Sequence, residues 1–298
     1  MTQLSVVILS YNTKDITKKC LDALTESLDK SEIEAEIIVV DNASVDSSVD
    51  MLKQYESLKS YSGIKLIFIY NKKNVGYPKG NNQGIKIAKG KYILLLNSDA
   101  IIGGVDWKSL LRYMDAHQQV GALTIKVVLP AGGIDPASHR GFPTVWNSFC
   151  YFSGLEKLFG KLPLLGQYFG GYHLTQYNLQ TEHEIDSPAG AFFLSPTKLL
   201  RKVNGFDDKN FFLYGEDLDL SYRIKKLGYK IVYYPLHTVT HLKRASGLKK
   251  KDIKIRSKSK DYFYESMKIF YKKHYEKTHP WLINKLVYFA IDQKKKWS

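Results

Sequence analysis

Four short apolar runs in the first hundred residues, at 4–9, 37–40, 64–69 and 92–96, alternate with amphipathic stretches, and this alternation constrains the fold more than any other feature. Runs of that length joined by helical connections are the pattern of βαβ units, and hence of a parallel sheet. Between the first two runs, Ile16, Cys20, Leu24 and Leu28 recur every four residues, which predicts a helix with one apolar face. Asp15 stands in its opening turn, where the helix dipole favours an acid. A chain of 298 residues can form one large domain or two small ones. At 44% hydrophobic, with 21 Tyr and 14 Phe, it can bury enough apolar surface to exclude disorder.

Each apolar run stops abruptly in polar residues: Ser10-Tyr11-Asn12, Asp41-Asn42-Ala43-Ser44, residues 71–74, and Asn97-Ser98-Asp99. Taken singly these are ordinary turn formers. In a parallel sheet, however, four such endings share one carboxyl edge, where open α/β sheets bind their ligands, and together they predict a nucleotide-sized site. No G-x-G-x-x-G follows the first run and no G-x-x-x-x-G-K-[ST] occurs, so a dinucleotide fingerprint and a P-loop are both excluded. The third ending continues through Gly76, Gly80 and Gly84, which predicts a tight loop and close packing of the helix that follows.

These stretches resemble the inverting glycosyltransferases of family 2, of GT-A fold, and within them the rhamnosyltransferase-like branch. The resemblance lies in Val6-Val7-Ile8-Leu9-Ser10-Tyr11-Asn12, Val39-Val40-Asp41-Asn42-Ala43-Ser44, residues 74–85, Leu94-Leu95-Leu96-Asn97-Ser98-Asp99, Tyr214-Gly215-Glu216-Asp217-Leu218-Asp219-Leu220 and Val239-Thr240-His241. The six motifs span residues 4 to 246 in the family's order and spacing. The fold this implies is α/β: a nucleotide-binding, mostly parallel sheet flanked by helices. Residues 1–246 would form the catalytic domain, with a nucleotide-binding half (1–100) and an acceptor-binding half (101–246). Residues 247–298 would form a helical extension.

The implied reaction moves a sugar, rhamnose or another hexose, from a nucleoside diphosphate sugar (a UDP- or dTDP-sugar) to a saccharide or lipid-linked acceptor in cell-surface polysaccharide synthesis. Such chemistry needs a pocket for base and ribose, a cation for the departing diphosphate and a base for the acceptor's proton. By resemblance, Asp41 would hydrogen-bond the pyrimidine or its ribose, with Tyr11 and Asn74 lining the same pocket. Asp99 would hold Mg²⁺ or Mn²⁺, a hard cation suited to oxygen ligands and phosphate. The family's Asp-x-Asp metal motif here begins with Asn97, so the metal site is expected to be present but weaker. His241 would be a further metal ligand or a diphosphate contact. Asp217 would be the general base, with Glu216 orienting it or touching the acceptor, although acids in a first helical turn are also favoured by the dipole alone. Arg140, in the matching stretch Asp135-Pro136-Ala137-Ser138-His139-Arg140, is either a diphosphate or acceptor contact or a solvated surface arginine.

Residues 130–190 loosen into Gly, Pro and aromatic residues, which suits an acceptor-facing region. Here Ser187-Pro188-Ala189-Gly190-Ala191-Phe192 matches the family's small-residue stretch before a strand, where close approach to the donor sugar is expected.

The formal charge of +15 is concentrated late: Lys243 to Ser298 carries 17 Lys or Arg against 5 Asp or Glu, while the preceding 242 residues carry 27 against 24. Phe263, Met267, Phe270, Tyr271 and His274 recur at helical spacing, as do Trp281, Lys285, Tyr288 and Phe289, so two amphipathic helices are expected. They would either lie on an anionic membrane surface or pack on the catalytic domain with their lysines merely solvated. A basic nucleic-acid-binding protein is the alternative the charge suggests, but no such motif occurs and Asp41, Asp99, Glu216 and Asp217 would repel phosphate, so no nucleic acid partner is expected. A nucleotide-sugar-binding pseudoenzyme is the alternative that Asn97 leaves open. Signal-peptide features and apolar runs of about 18 residues are lacking, and Cys20 and Cys150 stand alone. The expected location is cytoplasmic, with peripheral attachment at the inner face of the cell membrane as the further option.

Overall fold

The computed structural model describes residues 2–58, 63–243 and 253–297. In chain order the elements are β1 (Leu4–Ser10), α1 (Lys14–Asp29), β2 (Ala35–Asp41), α2 (Ser48–Leu58), β3 (Ile64–Tyr70), α3 (Tyr77–Ile87), β4 (Tyr92–Asn97), β5 (Ala100–Ile102), α4 (Trp107–Ala116) and β6 (Val120–Val128). There follow α5 (Val145–Ser153), α6 (Leu155–Phe159), α7 (Gly166–Phe169), β7 (His183–Ile185), β8 (Phe193–Pro196), α8 (Thr197–Lys202), α9 (Glu216–Lys226), β9 (Lys230–His241), α10 (Ile253–His274) and α11 (Trp281–Trp297). The four apolar runs are thus β1 to β4.

β1 pairs in parallel with β2 and β4, and β2 with β3, giving the order β3-β2-β1-β4. The chain winds outward to β3, returns, and restarts on the other side of β1. The β1/β4 boundary is therefore a topological switch point, with the polar endings of both strands at its carboxyl edge. Antiparallel β8 joins β4 to β6, and β6 pairs in parallel with β9. Two short strands, β5 and β7, add antiparallel to β9. Parallel ladders carry most of the pairing.

Alternate residues of β1 feed two apolar layers. Leu4, Val6 and Ile8 pack with Leu21, Leu24 and Leu28 of α1, while Val7 faces Ile85 of α3. Burial on both faces explains why the run reads as continuously apolar. Truncating Leu24 to Ala would cost about 2–5 kcal/mol. Close packing of α3 has a visible cause: a Cβ at Gly80 would lie 2.3 Å from Leu9, and one at Gly84 2.4 Å from Val7. At residues 145–169 the loosened stretch folds into three short helices. Thr144 caps α5 by accepting from Asn147 N at 3.1 Å, and Trp146 and Phe159 both pack on Phe169. Aromatic contacts, not a helical repeat, hold this segment.

The expected extension boundary at 246/247 lies outside the described residues. Beyond it α10 packs on the body: Phe270 joins Phe211 and Leu218 in one cluster, and Tyr262 stacks on Phe212 at 4.8 Å between ring centroids. Buried Asp219 on α9 accepts from His274 at 2.7 Å and pairs with Lys273 at 2.7 Å, which pins the end of α10. Of the two options for the tail, α10 realises packing on the domain.

Candidate active site

A cavity of about 1860 Å³ opens over the carboxyl edge at the β1/β4 switch point. Its walls include Tyr11, Asn74, Asn97, Asp99, Arg140, Glu216, Asp217 and His241, so eight of the nine residues singled out in the sequence meet around one space. Asp41 is the exception. It is fully buried and its Oδ1 accepts from Ser44 N at 2.9 Å, whereas Oδ2 is buried without a hydrogen-bond partner. Its neighbour Asn42 reaches the wall instead. Asn42 donates to Asn74 Oδ1 at 2.9 Å and accepts from Val75 N at 3.0 Å, tying the endings of β2 and β3 together. Asn74 therefore lines the cavity while its Oδ1 also accepts from Gly76 N, a loop-fixing task not read from sequence.

One corner is built by strand register. The β5–β9 ladder pairs Ala100 with His241, which sets His241 beside Asp99 in the turn after β4. His241 Nε2 lies 3.1 Å from Asp99 Oδ1 and Nδ1 lies 2.7 Å from Asp135 Oδ2; Lys243 Nζ completes the group 2.5 Å from Asp135 Oδ1. Burial opposes a charge on His241, but the bonds to Asp135 and Asp99 outweigh it and raise the imidazole pKa to about 9. Burial likewise works against the Asp135 carboxylate, yet His241 and Lys243 hold its pKa down at about 2.

Would these groups suit a divalent cation? Among the described residues no cluster of three or more protein ligands occurs. Asp99 and the Nε2 of His241 nevertheless face each other, and Asp135 fixes the imidazole from behind, the outer-shell arrangement that orients metal-bound histidines. Two protein ligands leave positions for phosphate oxygens, so the donor set fits once Nε2 gives up its proton in favour of the cation. Asn97 supplies no charge here. Its Oδ1 accepts from Tyr77 OH at 2.7 Å and its Nδ2 lies 3.4 Å from His241 Nε2. Gly190 gives that tyrosine room, since a Cβ there would lie 2.1 Å from the Tyr77 hydroxyl oxygen. The small residue at 190 thus accommodates a protein side chain.

On another wall, Gly215 adopts the left-handed conformation, φ 78°, and starts α9. Glu216 and Asp217 consequently stand at the helix N-terminus, where the dipole favours carboxylates. Arg140 Nη2 lies 2.6 Å from Asp217 Oδ2; Arg140 is buried and Asp217 half-buried, so Arg140 is not a solvated surface arginine. Glu216 has no such counter-ion. It is buried, Oε2 has no hydrogen-bond partner, and burial together with the adjacent Asp217 charge pushes its pKa up to about 8. The two neighbours therefore differ: Asp217 is ion-paired, whereas burial favours the protonated carboxyl of Glu216.

Asn42, Tyr77, Asp135 and Lys243 escaped the sequence reading. Asn42, Tyr77 and Asp135 each stand in a stretch that carries the family resemblance, while Lys243 is marked only as the start of the basic tail.

A mostly parallel sheet with this cavity at its switch point is the GT-A architecture of glycosyltransferases. The sequence model of glycosyl transferase family 2 matches residues 5–175, and the chain belongs to that family. It is 42% identical over 118 residues to a poly(ribitol-phosphate) beta-glucosyltransferase of Bacillus spizizenii, a match covering 39% of this chain but only 17% of that enzyme. It is 26% identical over 246 residues to the rhamnosyltransferase WbbL of Escherichia coli, covering 79% of this chain and 82% of WbbL. In fold it resembles a mannosyltransferase of Pyrobaculum calidifontis solved with GDP-mannose and Mn²⁺, with a TM-score of 0.56 and 14% identity over 91% of this chain and 64% of that one.

Proposed function

We propose that the protein transfers a hexose or deoxyhexose, with rhamnose a candidate, from a UDP- or dTDP-sugar to a hydroxyl of a saccharide or lipid-linked acceptor, with inversion, in surface polysaccharide assembly. The observation that carries this reading is the sharing of one cavity by the Asp99–His241 pair and the Arg140-held carboxylate of Asp217. The WbbL and poly(ribitol-phosphate) relatives support the polysaccharide context, and the mannosyltransferase supports a nucleotide-sugar donor with a divalent cation.

Tyr11 and Asn74 would take the base and ribose together with Asn42, which reaches the wall where Asp41 does not. Asp99 and His241 would hold Mg²⁺ or Mn²⁺, which when bound neutralises charge on the departing diphosphate. Asp217, fixed by Arg140, accepts the proton of the attacking hydroxyl as general base. Glu216, whose burial favours the protonated carboxyl, donates a hydrogen bond toward the acceptor. A single base suffices for direct displacement, since a diphosphate needs no general acid to leave.

The test is a thermal-shift screen of nucleotide sugars with Mg²⁺ or Mn²⁺, followed by detection of released nucleoside diphosphate. The expected result is stabilisation by one donor class, dependent on the cation and lost in Asp99→Ala, with slow donor hydrolysis. Stabilisation without any hydrolysis or transfer would support a pseudoenzyme, and no response to any nucleotide sugar would overturn the reading.

A further inference from the structure

α11 is apolar where a surface helix should be polar. Ile283, Val287 and Ile291 are half-buried at the cavity, yet Trp281 (67% exposed), Leu282 (55%), Leu286 (55%) and Phe289 (62%) stand out from the same helix. Its polar stripe is turned to α10 instead, where Asn284 accepts from Tyr271 OH at 2.7 Å and Asp292 pairs with Lys268 at 2.5 Å, and no residue of α11 is buried. Beside it stands a second exposed apolar segment from a distant part of the chain, α5 to α7, with Trp146 and Phe149 at 50% and 54% exposure. The two meet directly: Lys294 of α11 sits 5.2 Å over the ring of Phe152 in α5. Phe149, Phe152, Leu286 and Phe289 also line the cavity, so this rim is the cavity's mouth.

We propose that this rim is a docking surface for an anionic lipid bilayer, seated in the headgroup region with the cavity mouth against the lipid. Contiguous exposed apolar area on this scale marks either a protein or a membrane contact, and the chemistry of the rim selects the membrane. Lysine is depleted at protein interfaces, but here exposed lysines are set among the aromatic residues, with Lys285 4.5 Å over the ring of Trp281 and Lys294 over Phe152. Apolar stems under cationic heads, with tryptophan at the boundary, suit an interfacial helix against anionic headgroups. The excess positive charge of residues 243–298 complements such a surface. Among the described residues no helix is long and apolar enough to cross a bilayer, so the contact is with one face only. Nothing in this inference depends on the reaction, and its test needs neither donor nor acceptor.

The tryptophans provide the readout. Of the four, Trp107 is fully buried and Trp146, Trp281 and Trp297 lie exposed on α5 and α11. The full chain should float with phosphatidylcholine vesicles that contain phosphatidylglycerol, less with pure phosphatidylcholine and less at high salt. Brominated acyl chains should quench its tryptophan fluorescence. Leu282→Glu combined with Leu286→Glu should lower the bound fraction about tenfold or more, since two apolar anchors become charged. Failure to float, flotation without quenching, or equal binding by a folded double variant would each overturn the proposal. So would a lipid-free dimer that the double variant dissolves, which would assign the face to a second copy. Should the double variant not fold, quenching of the unaltered protein decides alone.

Discussion

Arg140 and Asp217, 77 positions apart, form a partly buried ion pair at 2.6 Å on the wall of the cavity. Arg140 comes from the segment before α5 and Asp217 from the first turn of α9, so the pair joins two parts of the cavity wall. The same Nη2 lies 3.4 Å from Pro188 O, which ties in the small-residue stretch before β8. A charge-assisted contact of this kind fixes a carboxylate more firmly than a neutral hydrogen bond would.

If Asp217 is the general base, Asp217→Asn should lower turnover by a factor on the order of 10³ while nucleotide-sugar binding changes only a few-fold. Arg140→Lys keeps the charge but loses the planar fork, and misplacement of the carboxylate should cost roughly 10²-fold in kcat with little change in donor KM. Steady-state kinetics and donor thermal shifts check both. Turnover of Asp217→Asn close to that of the parent would remove Asp217 from the role.

Glu216 leads to a pH prediction of definite sign. Its carboxyl pKa stands near 4.5 in an unfolded chain and is pushed up to about 8 in the folded one. Above pH 4.5 the unfolded state gains by ionising while the folded state cannot, so Glu216 subtracts stability progressively between pH 4.5 and 8. Glu216→Gln should therefore melt at a higher temperature relative to the parent protein at pH 8 than at pH 5. Parallel melting curves across that window would rule out the raised pKa.

The Asp99–His241–Asp135 line can be probed from its outer end. Asp135 lies off the cavity lining and would act on a cation only through His241, as a positioning residue. Asp135→Asn should weaken Mn²⁺ dependence about 10–100-fold with donor affinity at saturating metal preserved, whereas Asp99→Ala should abolish the metal response. If activity proceeds unaltered in excess chelator, His241 is the diphosphate contact, in keeping with an imidazole that holds its proton up to about pH 9.

How much of this was legible beforehand follows from the range of each interaction. The first four strands, α1 and the shared carboxyl edge are local patterns of period and punctuation, and the structure reproduces them within a residue or two at most ends. Pairings across long separations left no such trace. The bond from His241 to Asp135 spans 106 positions and rests on the β6–β9 ladder, in which Val127, opposite Val239, also accepts from Asp135 N, and the Tyr77–Asn97 bond depends on a glycine at 190. Likewise, α5 to α7 are held by aromatic contacts that periodicity does not register, and nothing in the string Val39-Val40-Asp41-Asn42 says that Asn42, not Asp41, reaches the cavity wall.

The docking of α10 yields the last prediction. Asp219 is fully buried and receives Arg223, Lys273 and His274 at once. Burial opposes its charge, but His274, Arg223 and Lys273 hold its pKa down from 3.8 to about 2. A depressed acid contributes stability that is present above its unfolded pKa and is lost as pH falls through 3.8 toward 2, here about 2 kcal/mol. Two of its partners sit on α10, so acid should loosen that helix from α9 before β1 and β4, whose parallel ladder holds no ion pair among the described residues. Asp219→Asn should be destabilised at pH 7 by at least about that amount, with the gap to the parent closing near pH 2. Hydrogen exchange at pH 3 should find α10 amides released ahead of those in β1 and β4; simultaneous exchange of helix and sheet would show that Asp219 does not govern the docking.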